Sequence, residues 1–242
     1  MFPAGREDSV RFSKGREGIG LLIGVATLLS AFLPNSMFLL LLCLLSFGMA
    51  RELGKALGIP EVSYLAPLVL VLAVLGVELG IAGVLLLAFL FAYIRWSLDC
   101  LSKAVLVLIY AGFLPIYLYM VKSQSSWELI KLVFFAYTVD TASYYAGKLF
   151  GRRALAVRLS PKKTWEGLAG GMLGGMLFFY LINKPIPLAV PLVLIALAGD
   201  LFKSFIKRQV GIKDFSNLLG EHGGLVDRFD SVLFVAVFWK II

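Results

Sequence analysis

A chain of 242 residues that is 60% hydrophobic and only 16% charged lies far from ordinary soluble domains, where about a quarter of residues carry charge; one water-soluble core cannot hide that much apolar surface. Its 23 Lys and Arg against 15 Asp and Glu give a formal net charge of +8. Two cysteines, Cys43 and Cys100, both in or near apolar segments, exclude a disulfide framework and a thiolate metal site, and the single histidine, His222, excludes histidine-rich zinc sites.

Near-continuous apolar runs recur from Ile19 to Ile242 without the period-two alternation of barrel strands. In hydrocarbon, only helices or closed barrels satisfy their own backbone groups. The pattern therefore predicts an all-α, polytopic transmembrane bundle of about nine spans: Ile19–Leu33, Ser36–Ala50, Tyr64–Gly76, Gly80–Ile94, Ala104–Val121, Glu128–Gly147, Gly167–Ile182, Ile186–Leu201 and Ser231–Ile242. Several are shorter than the roughly 20 residues a crossing needs. Ends extended by Trp, Tyr, Lys and Arg, some tilt, and one or two re-entrant segments are expected. The first run meets Pro34-Asn35-Ser36 and then another span, without a small-residue cleavage site, so it is expected to stay as a helix.

With nine spans the connections alternate sides, and the basic residues fall almost wholly into one set. That set holds Arg6, Arg11, Lys14 and Arg16, then Arg51 and Lys55, Arg95 and Lys103, Lys148 through Lys163, and Lys203 through Arg228; the other holds Lys122, Lys184 and Lys240. Basic loops stay on the cytoplasmic side, which predicts a multi-pass inner-membrane protein with its N-terminus inside and its C-terminus outside. The positive face then meets anionic headgroups and cytosolic polyphosphates. Topology alone accounts for the first three clusters. The last two loops mix in Asp, Ser, Gly and His, which orientation does not require, so residues 1–125 read as N-terminal transmembrane helices and residues 126–242 as a C-terminal catalytic region.

Four segments in that second part can carry chemistry. Asp140 lies within an otherwise apolar span, where a carboxylate is costly unless it faces a polar cavity or a partner; a hydroxyl or Lys131 could be that partner. Ser160-Pro161-Lys162-Lys163 resembles a helix cap and first turn, with free N–H groups beside two lysines that suit phosphate, or simply a capped helix with a basic flank. Behind it, Gly167, Gly171 and Gly175, with Gly170 and Gly174, form a small-residue face for close helix packing. Asp200, Lys203, Ser204 and Lys207 fall at i, i+3, i+4 and i+7 and share one stripe if the helix continues. Finally, Gly223 and Gly224 lead into Asp227, Asp230 and Ser231, two acids and a hydroxyl that share a face if Asp227 opens a helix. Mg²⁺ takes one or two carboxylates and leaves room for phosphate and water, although Asp227 by itself also suits a helix N-terminus. His222 serves either function or loop structure.

At these residues the sequence resembles the CDP-diacylglycerol synthases, also called phosphatidate cytidylyltransferases. The resemblance rests on Ser204, Ile206, Lys207-Arg208, Lys213-Asp214, His222-Gly223-Gly224, Asp227-Arg228 and Asp230, with Asp140 to Gly151 and Ser160 to Gly167 similar to upstream blocks. Two departures stand out: Gly220-Glu221 where that family commonly has Pro-Gly, and Lys203 where it commonly has Glu. The resemblance implies transfer of CMP from CTP to phosphatidate with release of pyrophosphate, in the membrane, with Mg²⁺ and room for a second cation. It implies catalytic roles for Asp227, Asp200, Lys207, Arg228 and His222, the last orienting or donating a hydrogen bond. Metal would be held by Asp200, Asp227, Asp230 and Asp140, and substrate bound by Lys162, Lys163, Ser204, Arg208, Lys213, Gly223 and Gly224. The expected partners are CTP, phosphatidate and the membrane, with a homodimer compatible and no nucleic acid. A CTP-dependent polyprenol or dolichol kinase and a membrane transporter are the competing readings; a transporter would place charges inside several spans and a repeat between halves.

Overall fold

The computed structural model of the protein describes residues 24–218 and 223–241. The expectations for the basic cluster before the first span, for Gly220-Glu221 and for His222 therefore lie outside the described residues. In chain order come α1 (residues 24–30), α2 (Asn35–Leu57), a 3-10 turn (Pro60–Tyr64), α3 (Ala66–Leu75), α4 (Val77–Arg95) and α5 (Leu98–Val107). A π-turn (Leu108–Phe113) leads to α6 (Ile116–Gln124), and α7 (Ser126–Phe150) follows. A hairpin of β1 (Ala154–Ala156) and β2 (Ser160–Thr164) precedes α8 (Trp165–Leu181), α9 (Ala189–Gln209) and α10 (Leu225–Trp239).

Among the described residues, four stretches, Asn35–Leu57, Val77–Arg95, Leu98–Gln124 and Ile186–Gln209, are long and apolar enough to cross a bilayer. The surface agrees. On α4 the buried residues are Gly80, Gly83, Val84, Ala88 and Ala92, whereas Leu85, Leu86 and Phe89 are more than half exposed. Small residues inside and large apolar residues outside is the arrangement of a helix solvated by lipid, where close backbone approach drives packing. The chain is a helical membrane protein.

Three sequence expectations need correction. The helical class holds, with one short ribbon added to it: β1 and β2 pair antiparallel, Ala154 opposite Thr164 and Ala156 opposite Ser160. As a result Ser160-Pro161 does not start a helix. Pro161 sits in a two-stranded ribbon, all edge, where a missing N–H is tolerated, and the cap is Thr164, whose Oγ1 accepts from Gly167 N at 3.0 Å. The fifth span starts at Leu98, capped by Ser97, and runs through the π-turn to Gln124. The last helix opens at Leu225, six residues before the expected Ser231, because Asp227 in its first turn reaches back to accept from the backbone N–H of Gly224 at 3.1 Å.

The glycine stripe of α8 packs on α7. A Cβ at Gly170 would run into Ala146, one at Gly171 into the Ser143 hydroxyl, and one at Gly174 into Ala142. A second close approach sets the site: a Cβ at Gly199 of α9 would lie 2.8 Å from the Asp230 carbonyl and 3.0 Å from the Phe234 ring, so α9 and α10 nearly touch beside Asp200. Helices α7 and α10 run antiparallel, with Glu128 reaching Trp239 at one end and Asp140 reaching Ser231 nearer the other.

Candidate active site

Between α7, the hairpin, α8 and α9 lies a cavity of about 570 Å³ lined by Asp140, Asp200, Lys148, Lys162, Lys163, Lys203 and Lys207, with Ser143, Tyr144 and Ser204 among the remainder. Each wall has a local cause. Continuation of α9 past the apolar run puts Asp200, Lys203, Ser204 and Lys207 on one face, as their spacing requires. The hairpin turns Lys162 and Lys163 inward from the opposite side. It is braced against α8 by Glu166, which accepts from Arg153 N at 3.3 Å. The Glu166 carboxyl is held below the usual carboxylate range by its own backbone N–H and those of Arg152 and Arg153. Asp140 is exposed, although it lies in the middle of α7, because its side of the helix faces the cavity rather than lipid.

At the floor the carboxylates share lysines. Lys163 Nζ lies 2.6 Å from Asp200 Oδ2, and Lys203 Nζ bridges Asp200 Oδ1 at 3.0 Å and Asp230 Oδ2 at 2.6 Å. Lys203 is buried and also donates to the Asp227 carbonyl at 3.2 Å. A buried ammonium between two carboxylates offsets the desolvation of all three groups. Asp230 Oδ2 is buried and, apart from that ammonium, has no well-oriented hydrogen bond. The Asp227 carboxylate is committed differently: Oδ1 takes Lys207 at 2.8 Å, while Oδ2 accepts from Phe215 N at 3.2 Å and Gly224 N at 3.1 Å. Ser231 Oγ donates to Asp140 Oδ2 at 3.3 Å, tying α10 to α7.

The structure thus gathers most of the expected residues. Asp140, Lys162, Lys163, Asp200, Ser204 and Lys207 line the cavity, and Asp227 and Asp230 join through the lysines of α9. Arg208 is exposed, with Nε 3.4 Å from the Leu159 carbonyl. Lys213 and Arg228 are also exposed, beside the site rather than in its wall. Gly223, with φ of +78°, and Gly224 make the turn into α10. Among the described residues no three metal-ligating side chains converge. The pair that comes nearest, Asp200 with Asp230, offers the oxygen donors that a hard divalent cation takes, with the Lys203 ammonium between them and further lysines alongside.

Sequence reasoning passed over three contributors. Lys148 and Tyr144 line the cavity but look like an ordinary membrane flank in the sequence. Glu52, in α2, accepts from Ser216 Oγ, Leu225 N and Val226 N. It sits in a cluster whose basic neighbours topology explains, yet an acid beside a long apolar run deserved the suspicion applied to Asp140.

A helical membrane protein that faces one cavity with five lysines and braces them with carboxylates is equipped to hold a polyanion at a bilayer surface. The model of the cytidylyltransferase family matches residues 14–242, and the chain belongs to that family and is an enzyme of nucleotidyl transfer. It is 46% identical over 242 residues to the phosphatidate cytidylyltransferase of Aquifex aeolicus (strain VF5), covering 98% of this chain and 93% of that protein. Proteins of the same name in Brucella suis and Bacillus subtilis are 36% identical over 141 residues and 31% identical over 177, covering 52% and 65% of their own lengths.

Proposed function

We infer that the chain catalyses the reaction for which these relatives are named, joining the cytidylyl group of CTP to phosphatidate. The observation that carries this reading from family to mechanism is the cavity itself: Lys148, Lys162, Lys163, Lys203 and Lys207 face the same space beside Asp200. Such a site suits two phosphate-bearing substrates brought together. A phosphatidate oxygen bonds to the α-phosphorus of CTP, the bond from that phosphorus to the β-phosphate bridging oxygen breaks, and pyrophosphate leaves. The acceptor is already ionised, so positioning and charge neutralisation dominate and no strong base is required.

Each residue has a part in this proposal. Lys163 and Lys207 leave their carboxylate partners to hold phosphate oxygens, and Lys203 keeps Asp200 and Asp230 together. Lys162, Arg208, Lys213 and Arg228 add positive field at the rim, Ser204 offers a hydroxyl, and Gly223 and Gly224 admit close approach of backbone to ligand. Asp200 and Asp230 would hold Mg²⁺, with Asp227 and Asp140 completing the acidic side. That ion would supply charge neutralisation on the departing pyrophosphate. His222 would orient a substrate group or donate a hydrogen bond.

The orientation belongs to the same proposal: N-terminus inside, about nine crossings, and the cavity open to the cytosol where CTP is found. The five cavity lysines all fall in the basic clusters assigned to the cytoplasmic side, at the ends of α7 and α9 and in β2, whereas Lys122 and Lys184 lie near Asn35 and Glu128, at the starts of α2 and α7, which supports that sidedness. Residues 126–242 would then be the catalytic region and residues 1–125 its scaffold. The test is an incubation of purified protein with phosphatidate, Mg²⁺ and CTP labelled at its α-phosphate. Label should enter a liponucleotide; label that stays in soluble nucleotide while the lipid gains phosphate identifies a kinase instead, and lipid uptake without CTP turnover identifies a transporter.

A further inference from the structure

Glu52 belongs to the N-terminal helices, yet its closest partners lie more than 160 positions along the chain. Its side chain is buried, the residue being 6% exposed. Both oxygens are engaged: Oε1 accepts from Ser216 Oγ at 2.5 Å and Leu225 N at 3.0 Å, and Oε2 accepts from Val226 N at 2.9 Å. Leu225 and Val226 are the first two residues of α10, and the third is Asp227. The N–H groups at a helix start have no partner within the helix. Here two of them go to Glu52, and that of Gly224 goes to Asp227. The fit is close enough that a Cβ on Gly224 would run into the Glu52 carboxylate, so glycine is needed at 224 for this approach.

The same carboxylate holds the loop between α9 and α10. Ser216 is fastened to Glu52 and its neighbour Phe215 to Asp227, so two acids, one from each half of the chain, fix loop and helix start together. An anion at this end of α10 is favoured by the helix dipole. With Glu52 already there, those N–H groups are closed to a phosphate, which leaves the phosphates to the lysines of β2 and α9.

We propose that Glu52 is a positioning residue for cytidylyl transfer: by holding the first turn of α10 and the Phe215-Ser216 segment, it places Asp227 and Asp230 against the α9 lysines. This rests on the activity proposed above. Glu52 touches no reacting atom; it acts through Asp227 and Asp230.

The test compares wild type, Glu52→Gln and Ser216→Ala in proteoliposomes, reading kcat per folded molecule, KM for phosphatidate and the Mg²⁺ concentration giving half-maximal rate. Glu52→Gln keeps the shape but loses the charge and one acceptor. It should lower kcat and raise the Mg²⁺ requirement by about 10- to 100-fold, as loss of a residue orienting metal ligands does, with KM for phosphatidate nearly unchanged. Ser216→Ala should move the same quantities in the same direction by about two- to tenfold, the worth of one hydrogen bond, and it carries the test if Glu52→Gln does not fold. Less folded protein with wild-type kcat and Mg²⁺ requirement would make Glu52 a scaffold residue and overturn the proposal. Wild-type protein that transfers no label would overturn the activity itself, a separate and visible failure.

Discussion

The two ends of the α7–α10 pair use the same residue types for different ends. Where α7 begins, Glu128 takes Lys131 at 2.8 Å, Lys184 at 3.1 Å and Trp239 Nε1 at 3.2 Å. One carboxylate is saturated by donors from three elements, and the group works as a staple. Beyond the other end, a cavity of about 570 Å³ is lined by five lysines and only two carboxylates, Asp140 and Asp200. Burying an ion pair contributes little net stability by itself. A closed network therefore fixes helix positions, whereas an open one with surplus cations has binding capacity left for a ligand.

Substitutions can break that contrast, and the largest effect is expected at its centre. Lys203→Met leaves Asp200 and Asp230 facing each other without their shared ammonium. Loss of one partner from a buried ion pair costs about 3–5 kcal/mol, so denaturation should show a large loss of stability along with near-complete loss of transfer. Wild-type stability would mean that the ammonium bridging Asp200 and Asp230 does not hold the two helices together. Next comes Lys163→Ala, which removes the partner of the partly open Asp200. Steady-state kinetics should show transfer down about 10- to 100-fold, in the range of one charged hydrogen bond, with the folded fraction unchanged. Packing follows: Gly170→Val pushes α8 off Ala146 and should cost about 1–3 kcal/mol as an overpacked contact, read as a lower melting temperature. Smallest for function is Glu128→Gln at the stapled end, expected to cost about 1–3 kcal/mol of stability with kcat unchanged. A large fall in kcat there would erase the distinction between the two ends.

Local periodicity made part of this legible. The α9 stripe from Asp200 to Lys207 and the glycine face of α8 follow from helical spacing alone, and both occur. Asp140 stood out because a lone acid in an apolar run needs a reason. The hairpin was hidden because Ser160-Pro161 is as good a helix start as it is an edge strand; only the pairing of Ala154 with Thr164 decides. Glu52 was hidden for a deeper reason. Its meaning lies in partners 164 to 174 residues away, and no window along the chain contains both. The π-turn at Leu108–Phe113 likewise has no sequence signal beyond the Pro115 that follows it.

The most direct test of the central claim is Asp227→Ala, purified and reconstituted with phosphatidate, Mg²⁺ and CTP labelled at the α-phosphate. Asp227 links the first turn of α10 to Lys207 and to Phe215, so the variant should insert and fold with lowered stability, and its folded fraction should put no label into lipid. Labelling at the wild-type rate would show that the reaction happens somewhere other than this junction of α9 and α10.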